Sequence, residues 1–255
     1  MTTVMVTAIR AVTNPSIKAN TMKICILDND VIDPEVAPTY TSYGAMFERL
    51  LGDAGADASF EHFNTMQGEY PASFDAYDAV LLTGSRADSF SQAPWVLALR
   101  QQVELLLKQK KKLVGVCFGH QLIALCMGAK VGRAPQGWGT GRMTYQWHAH
   151  PLSQPSDRTD ISLLASHQDQ VFELPEGATL LASNAFCPVA AFVVEQQVLC
   201  VQPHPEFVED YSAFLLNKRR ALLGEAQYSR SIDSLALGHD GAHMARMMVA
   251  FIKSV

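Results

Sequence analysis

Short apolar runs alternate with amphipathic stretches from Met22 onward, and that alternation predicts strand, helix, strand, helix. Lys23–Leu27 reads as a short buried strand ending at Asp28, and Asp78–Leu82 and Lys112–Val116 repeat the pattern. Ala58–Asn64 alternates like a half-exposed strand. Tyr43–Ala54 carries Met46, Phe47, Leu50 and Leu51 at helical spacing, with Gly52 and Gly55 near its stop. Trp95–Lys108 reads as a helix with Pro94 in its first turn. A third helix follows Cys117-Phe118-Gly119 and runs to about Met127. Continuous apolar strands joined by helices predict a mostly parallel sheet covered on both faces, an α/β fold.

After Gly128 the texture changes. Lys130–Arg133, Gly141–Gln146, Ile161–Ala165, Thr179–Ser183, Val189–Val194 and Val198–Val201 read as strands of hairpins laid beside the parallel sheet. Phe207–Leu223 and His243–Lys253 read as closing helices, with Gly224–Asp240 a surface loop between them. Met244, Met247, Met248, Phe251 and Ile252 form a core-facing stripe, while Lys108 and Lys110–Lys112 read as a solvated helix end. With no linker or repeat, residues 22–255 form one expected domain. Residues 1–21 read as a disordered extension or a start assigned too early.

Composition narrows the function. Apolar residues make up 48% and charged ones 18%, enough for a large core. A formal net charge of −5 argues against bulk electrostatic binding of nucleic acid, and no apolar run is long enough to span a membrane. The five cysteines are widely spaced with no C-x-x-C pair, which fits a reducing, cytoplasmic setting.

Gly115-Val116-Cys117-Phe118-Gly119 sits where a buried strand meets a helix: a G-x-nucleophile-x-G elbow with Cys in the Ser position. The sharp turn strains the middle residue, and the glycines remove side chains that would collide with the neighbouring strand and helix. The side chain then stands at the carboxyl end of the sheet, facing the positive end of a helix. A strand-end cysteine is more often a buried structural thiol, and the other four cysteines keep that reading. The two glycines shift Cys117 to a nucleophile, with the Phe118 N–H as an oxyanion donor. A cysteine nucleophile needs an imidazole held by an acceptor. His204-Pro205-Glu206, just after the strand Val198–Val201, supplies both, with His204 as base and Glu206 as its orienter. His120 is a weaker base because it projects from the helix, and the pair His148 and His150 lacks a third metal ligand.

Gly115-Val-Cys-Phe-Gly-His-Gln121 with His204-Pro-Glu206 resembles the class I glutamine amidotransferases of Cys-His-Glu type. Ser166-His167-Gln168-Asp169-Gln170-Val171 is similar to that family's S-H-x-D-x-V segment, and the resemblance covers roughly Met22 to Tyr211. It implies a flavodoxin-like sheet and a catalytic set of Cys117, His204 and Glu206. Thr83-Gly84-Ser85 stands where the family often reads Gly-Gly-Pro, which implies Gly84 and Phe118 as the oxyanion hole. Gln121, His167, Asp169 and Ser85 are implied on the substrate side. The stretch Thr83–Phe90 with Trp95, and Lys130–Ala134 with Gly137-Trp138, look most similar to stand-alone GMP-synthase-like amidotransferases, a group that includes γ-glutamyl peptidases. The implied chemistry is hydrolysis of glutamine or a γ-glutamyl compound through a γ-glutamyl thioester, with no cofactor and no metal. A glutaminase subunit feeding a separate synthetase, and a non-enzymatic binding protein on the same fold, are the alternatives.

Overall fold

Ile24 and Ile26 face one side of the first strand while Cys25 and Leu27 face the other, and all four are fully buried. In the computed structural model, which describes residues 21–148, 150 and 158–254, this strand lies inside a sheet covered on both faces. The elements run β1 (Met22–Asp28), α1 (Ala37–Tyr40), α2 (Tyr43–Asp53), β2 (Ala58–Asn64), β3 (Ala79–Leu82), α3 (Pro94–Lys108), β4 (Leu113–Val116) and α4 (Phe118–Cys126). They continue through β5 (Val131–Arg133), β6 (Gly139–Trp147), β7 (Asp160–His167), β8 (Asp169–Val171), β9 (Thr179–Ser183), β10 (Ala191–Val194) and β11 (Val198–Val201). Three helices follow: α5 (Glu209–Leu223), α6 (Glu225–Leu235) and α7 (Gly241–Lys253). The reading of residues 1–21 falls almost wholly outside the described residues.

Among the described residues, nine strands form one sheet in the order β2-β1-β3-β4-β11-β10-β9-β6-β7. From β2 to β11 neighbours run parallel, and from β11 to β7 antiparallel. The α/β expectation holds, with one refinement. The later strands do not lie beside the parallel sheet but extend it edge to edge, while β5 and β8 pair separately as a two-stranded ribbon. α2 and α7 cover one face, packing Phe47, Leu51, Met244, Met248 and Phe251 on Ile24, Leu81 and Val114. α3 and α4 cover the other, packing Leu99, Val103, Leu122 and Ile123 on Cys25, Val80 and Phe192. Fully burying each such side chain contributes about 1.5–3 kcal/mol, so these two layers fix the sheet.

Two expectations are corrected. Glu225–Leu235, expected as loop, is the helix α6. It has few apolar residues and docks through hydroxyls instead. Ser231 Oγ lies 2.8 Å from Thr140 Oγ1, and Ser234 Oγ accepts from the Arg142 backbone N–H at 2.9 Å. Lys112 is not merely solvated: its ammonium donates to the Phe251 and Ile252 carbonyls at 3.0 and 3.2 Å, capping the end of α7. The methionine stripe of α7 is buried as its spacing suggests. Among the described residues, no helix is long and apolar enough to cross a membrane.

Candidate active site

Cys117 stands between β4 and α4 with φ 52° and ψ −102°, a left-handed conformation that costs a non-glycine residue about 1–3 kcal/mol. The surroundings hold it there. Its backbone N–H donates to Val201 O at 2.9 Å, and its carbonyl accepts from the Gln121 N–H at 3.0 Å. The flanking glycines are required by contact. A Cβ at Gly119 would lie 2.5 Å from the Leu82 carbonyl oxygen, and one at Gly115 would lie 2.8 Å from the Gly119 carbonyl. The sharp bend read from the sequence is therefore present, and it leaves the first N–H groups of α4 beside the thiol without intrahelical acceptors.

β4 and β11 are adjacent parallel strands, with Val116 opposite Val201. His204 follows β11, and its backbone N–H donates to Leu164 O at 2.8 Å, which ties it to β7. Its Nδ1 lies 2.7 Å from Glu206 Oε1, and Phe207 stacks flat on the imidazole with centroids 3.9 Å apart. Both His204 and Glu206 are buried. A carboxylate only accepts, so Nδ1 carries the proton and Nε2 is left for the other side of the ring. Burial alone would lower the His204 pKa, but Glu206 and Cys117 outweigh it and the net shift is upward. Burial pushes the Cys25, Cys126 and Cys187 thiols up to about 12 and raises Cys200 well above its ordinary value, so these four are inert at neutral pH.

The residues expected on the substrate side gather around the same thiol. Cys117, Ser85, Gln121, His167 and Asp169 line a cleft of about 250 Å³. A smaller hollow of about 20 Å³ joins Cys117, Gly84, His204 and Tyr43. A Cβ at Gly84 would sit 2.9 Å from His204 Cε1, so this position must stay without a side chain to keep the imidazole in place. Gln121 is tied down: its amide donates to Asp169 O at 2.9 Å and to Gln202 Oε1 at 3.1 Å. His167 Nδ1 points to the Asp169 carbonyl at 3.0 Å, and burial lowers its pKa to about 4. Burial, with Asp88 adding to it, raises Asp169 to about 6 against the opposing pull of Arg133.

Other histidines lie elsewhere. His120 is fully buried against Phe192, where burial lowers its pKa to about 3, and it does not line the cleft. The His148 ring lies 3.1 Å from the Ser183 hydroxyl. Among the described residues, no three His, Cys, Asp or Glu side chains cluster as metal ligands would. The sequence reading missed Arg133 and Arg219, which also border the cleft. Arg219 had a signal: it follows Ser212 and Leu216 at helical spacing, a cation on the buried face of α5.

Comparisons with known proteins point to one family. The family described as Glutamine amidotransferase class-I matches residues 36–217. Gamma-glutamyl peptidase 3 of Arabidopsis thaliana is 33% identical over 68% of this chain and 72% of its own. A glutamine-hydrolyzing GMP synthase subunit of Methanocaldococcus jannaschii is 33% identical over 46% of this chain and 62% of its own. The crystal structure of a glutamine amidotransferase from Thermotoga maritima superposes with a TM-score of 0.74 at 17% identity, covering 92% of this chain and 99% of that one.

Proposed function

The chain belongs to the class-I glutamine amidotransferases, and from that premise we propose that it is a cysteine-dependent hydrolase of γ-glutamyl amides. The observation that carries the reading is the meeting of three parts. They are a strained elbow cysteine, an imidazole from the next strand, and a buried carboxylate 2.7 Å from that imidazole. Similarity to a gamma-glutamyl peptidase over 68% of the chain supports γ-glutamyl compounds as substrates.

In this mechanism His204 Nε2 takes the thiol proton of Cys117, and the thiolate sulfur attacks the γ-carbonyl carbon. The negative oxygen that forms is held by the Gly84 and Phe118 N–H groups, each such donor contributing on the order of 10²–10³ in rate. The C–N bond breaks, His204 gives its proton to the departing nitrogen, and a γ-glutamyl thioester remains. His204 then takes a proton from water, whose oxygen attacks the thioester. The C–S bond breaks, and free glutamate and thiolate are released. Glu206 keeps Nδ1 protonated and the ring oriented throughout. Ser85, Gln121, His167 and Asp169 shape the substrate side. Five free thiols support a reducing compartment, the cytoplasm.

A second reading, a glutaminase serving a separate synthetase, is supported by similarity to the GMP synthase subunit, over a smaller share of the chain. Purified protein incubated with glutamine and a panel of γ-glutamyl peptides separates the two. Unaided release of glutamate from the peptides is expected, with a loss on the order of 10³-fold or more in Cys117→Ala. Silence toward every peptide, with glutaminase activity appearing only on adding a synthetase, would favour the second reading.

A further inference from the structure

Three cations near the cleft are neutralised by carboxylates. Arg86 Nη2 lies 2.8 Å from Asp30 Oδ1, Arg133 lies 3.1 Å from Asp88 and 3.2 Å from Asp169, and Lys218 is within 3.1 Å of both Asp33 and Glu35. Arg219 differs. It has no carboxylate within ion-pair distance among the described residues. One Nη donates to Ser166 Oγ at 2.6 Å, and the guanidinium lies 5.0 Å from the Trp138 ring centroid.

A guanidinium has five N–H donors, so most of its hydrogen-bonding capacity is unspent. Burial pushes its pKa down, as expected of a cation drawn out of water without a counter-ion. The Trp138 face offsets only part of that cost. Arg219 also occupies a junction. It borders the cleft with Cys117 and Gln121, the hollow with Cys117 and His204, and a third hollow of about 290 Å³ lined by Tyr43, Phe214 and Lys218. An anion bound there would lie beside the reacting sulfur. The planar fork of arginine matches a carboxylate with two parallel hydrogen bonds.

We propose that Arg219 is the residue by which the cleft recognises a carboxylate of its substrate, an inference that rests on the hydrolase reading above. A γ-glutamyl compound offers one on the glutamyl α-carbon. A γ-glutamyl peptide offers a second at the end of its leaving group. Both have the same chemistry, and substrate choice tells them apart.

The test compares wild type, Arg219→Gln and Arg219→Lys on γ-glutamyl-alanine, its C-terminal amide and γ-glutamyl-ethylamide. Arg219→Gln is expected to raise KM roughly 10- to 100-fold on a recognised carboxylate with a smaller change in kcat, and Arg219→Lys to restore part of it. A rise on all three substrates assigns the α-carboxylate. A rise confined to γ-glutamyl-alanine assigns the leaving-group carboxylate. KM unchanged within about twofold on all three, in variants that melt like wild type, overturns the proposal. If Arg219→Gln does not fold, Arg219→Lys carries the same comparison, because its ammonium cannot form the paired bonds.

Direct binding separates this inference from the reading beneath it. Glutamate and alanyl-alanine are titrated calorimetrically into Cys117→Ala with and without Arg219→Gln. Should wild type hydrolyse nothing, a ligand bound by the first protein and lost from the second still sustains carboxylate recognition. Equal binding of both ligands, or none of either, ends it.

Discussion

His120 and His167 are held neutral by burial, with pKa values lowered to about 3 and about 4 from the ordinary 6.5. Below about pH 6.5 the unfolded chain takes up protons at both positions and the folded chain does not, so stability falls as pH falls. His204 acts in the opposite direction. Its raised pKa contributes stability that is complete below 6.5 and is lost as pH rises through the folded value. Asp169, raised to about 6, opposes the two buried histidines between about pH 4 and 6, so the net slope is smaller than theirs alone. The difference made by one residue is cleaner. Urea unfolding between about pH 5 and 6 should show a shallower pH slope in His120→Leu, by on the order of 1 kcal/mol per pH unit. An unchanged slope would mean that His120 does not resist protonation. At this scale Cys117 was legible because neighbouring glycines mark a sharp bend. Arg219 belongs to no motif, although its place on the face of Ser212 and Leu216 set it apart.

α7 ends where Lys112, just before β4, donates to its last carbonyls. Lys112→Met keeps much of the aliphatic stem and removes that cap. A loss of about 1–3 kcal/mol in unfolding free energy is expected, read by denaturant titration, with hydrolysis per folded molecule unchanged. No loss would mean that the lysine only lies over the helix end. Elements with a strong period were legible: Ala58–Asn64 was read to the residue, and α2, α3 and β4 to within one or two. α6 was not, because its seam with β6 is built from serine and threonine hydroxyls rather than apolar side chains. β8 was not, because three residues carry no period and gain their strand form only by pairing with β5.

The whole molecule brings together what the chain keeps apart. β4 and β11 are distant in sequence but adjacent in the sheet, so Cys117 and His204 emerge at the same edge. No local pattern states that adjacency; the sequence only placed both residues at strand ends, from which they could meet at one edge. Net charge likewise says nothing of local charge. The chain carries −5, yet its cleft is bordered by Arg86, Arg133 and Arg219. The central claim is that this edge forms a γ-glutamyl thioester on one sulfur. The protein is mixed with a γ-glutamyl peptide, quenched in acid and weighed intact, and the modified residue is located by peptide mapping. Added mass equal to one γ-glutamyl group on Cys117, absent from Cys117→Ala, is the expected result. Undiminished glutamate release by Cys117→Ala, or the adduct on another side chain, would contradict it.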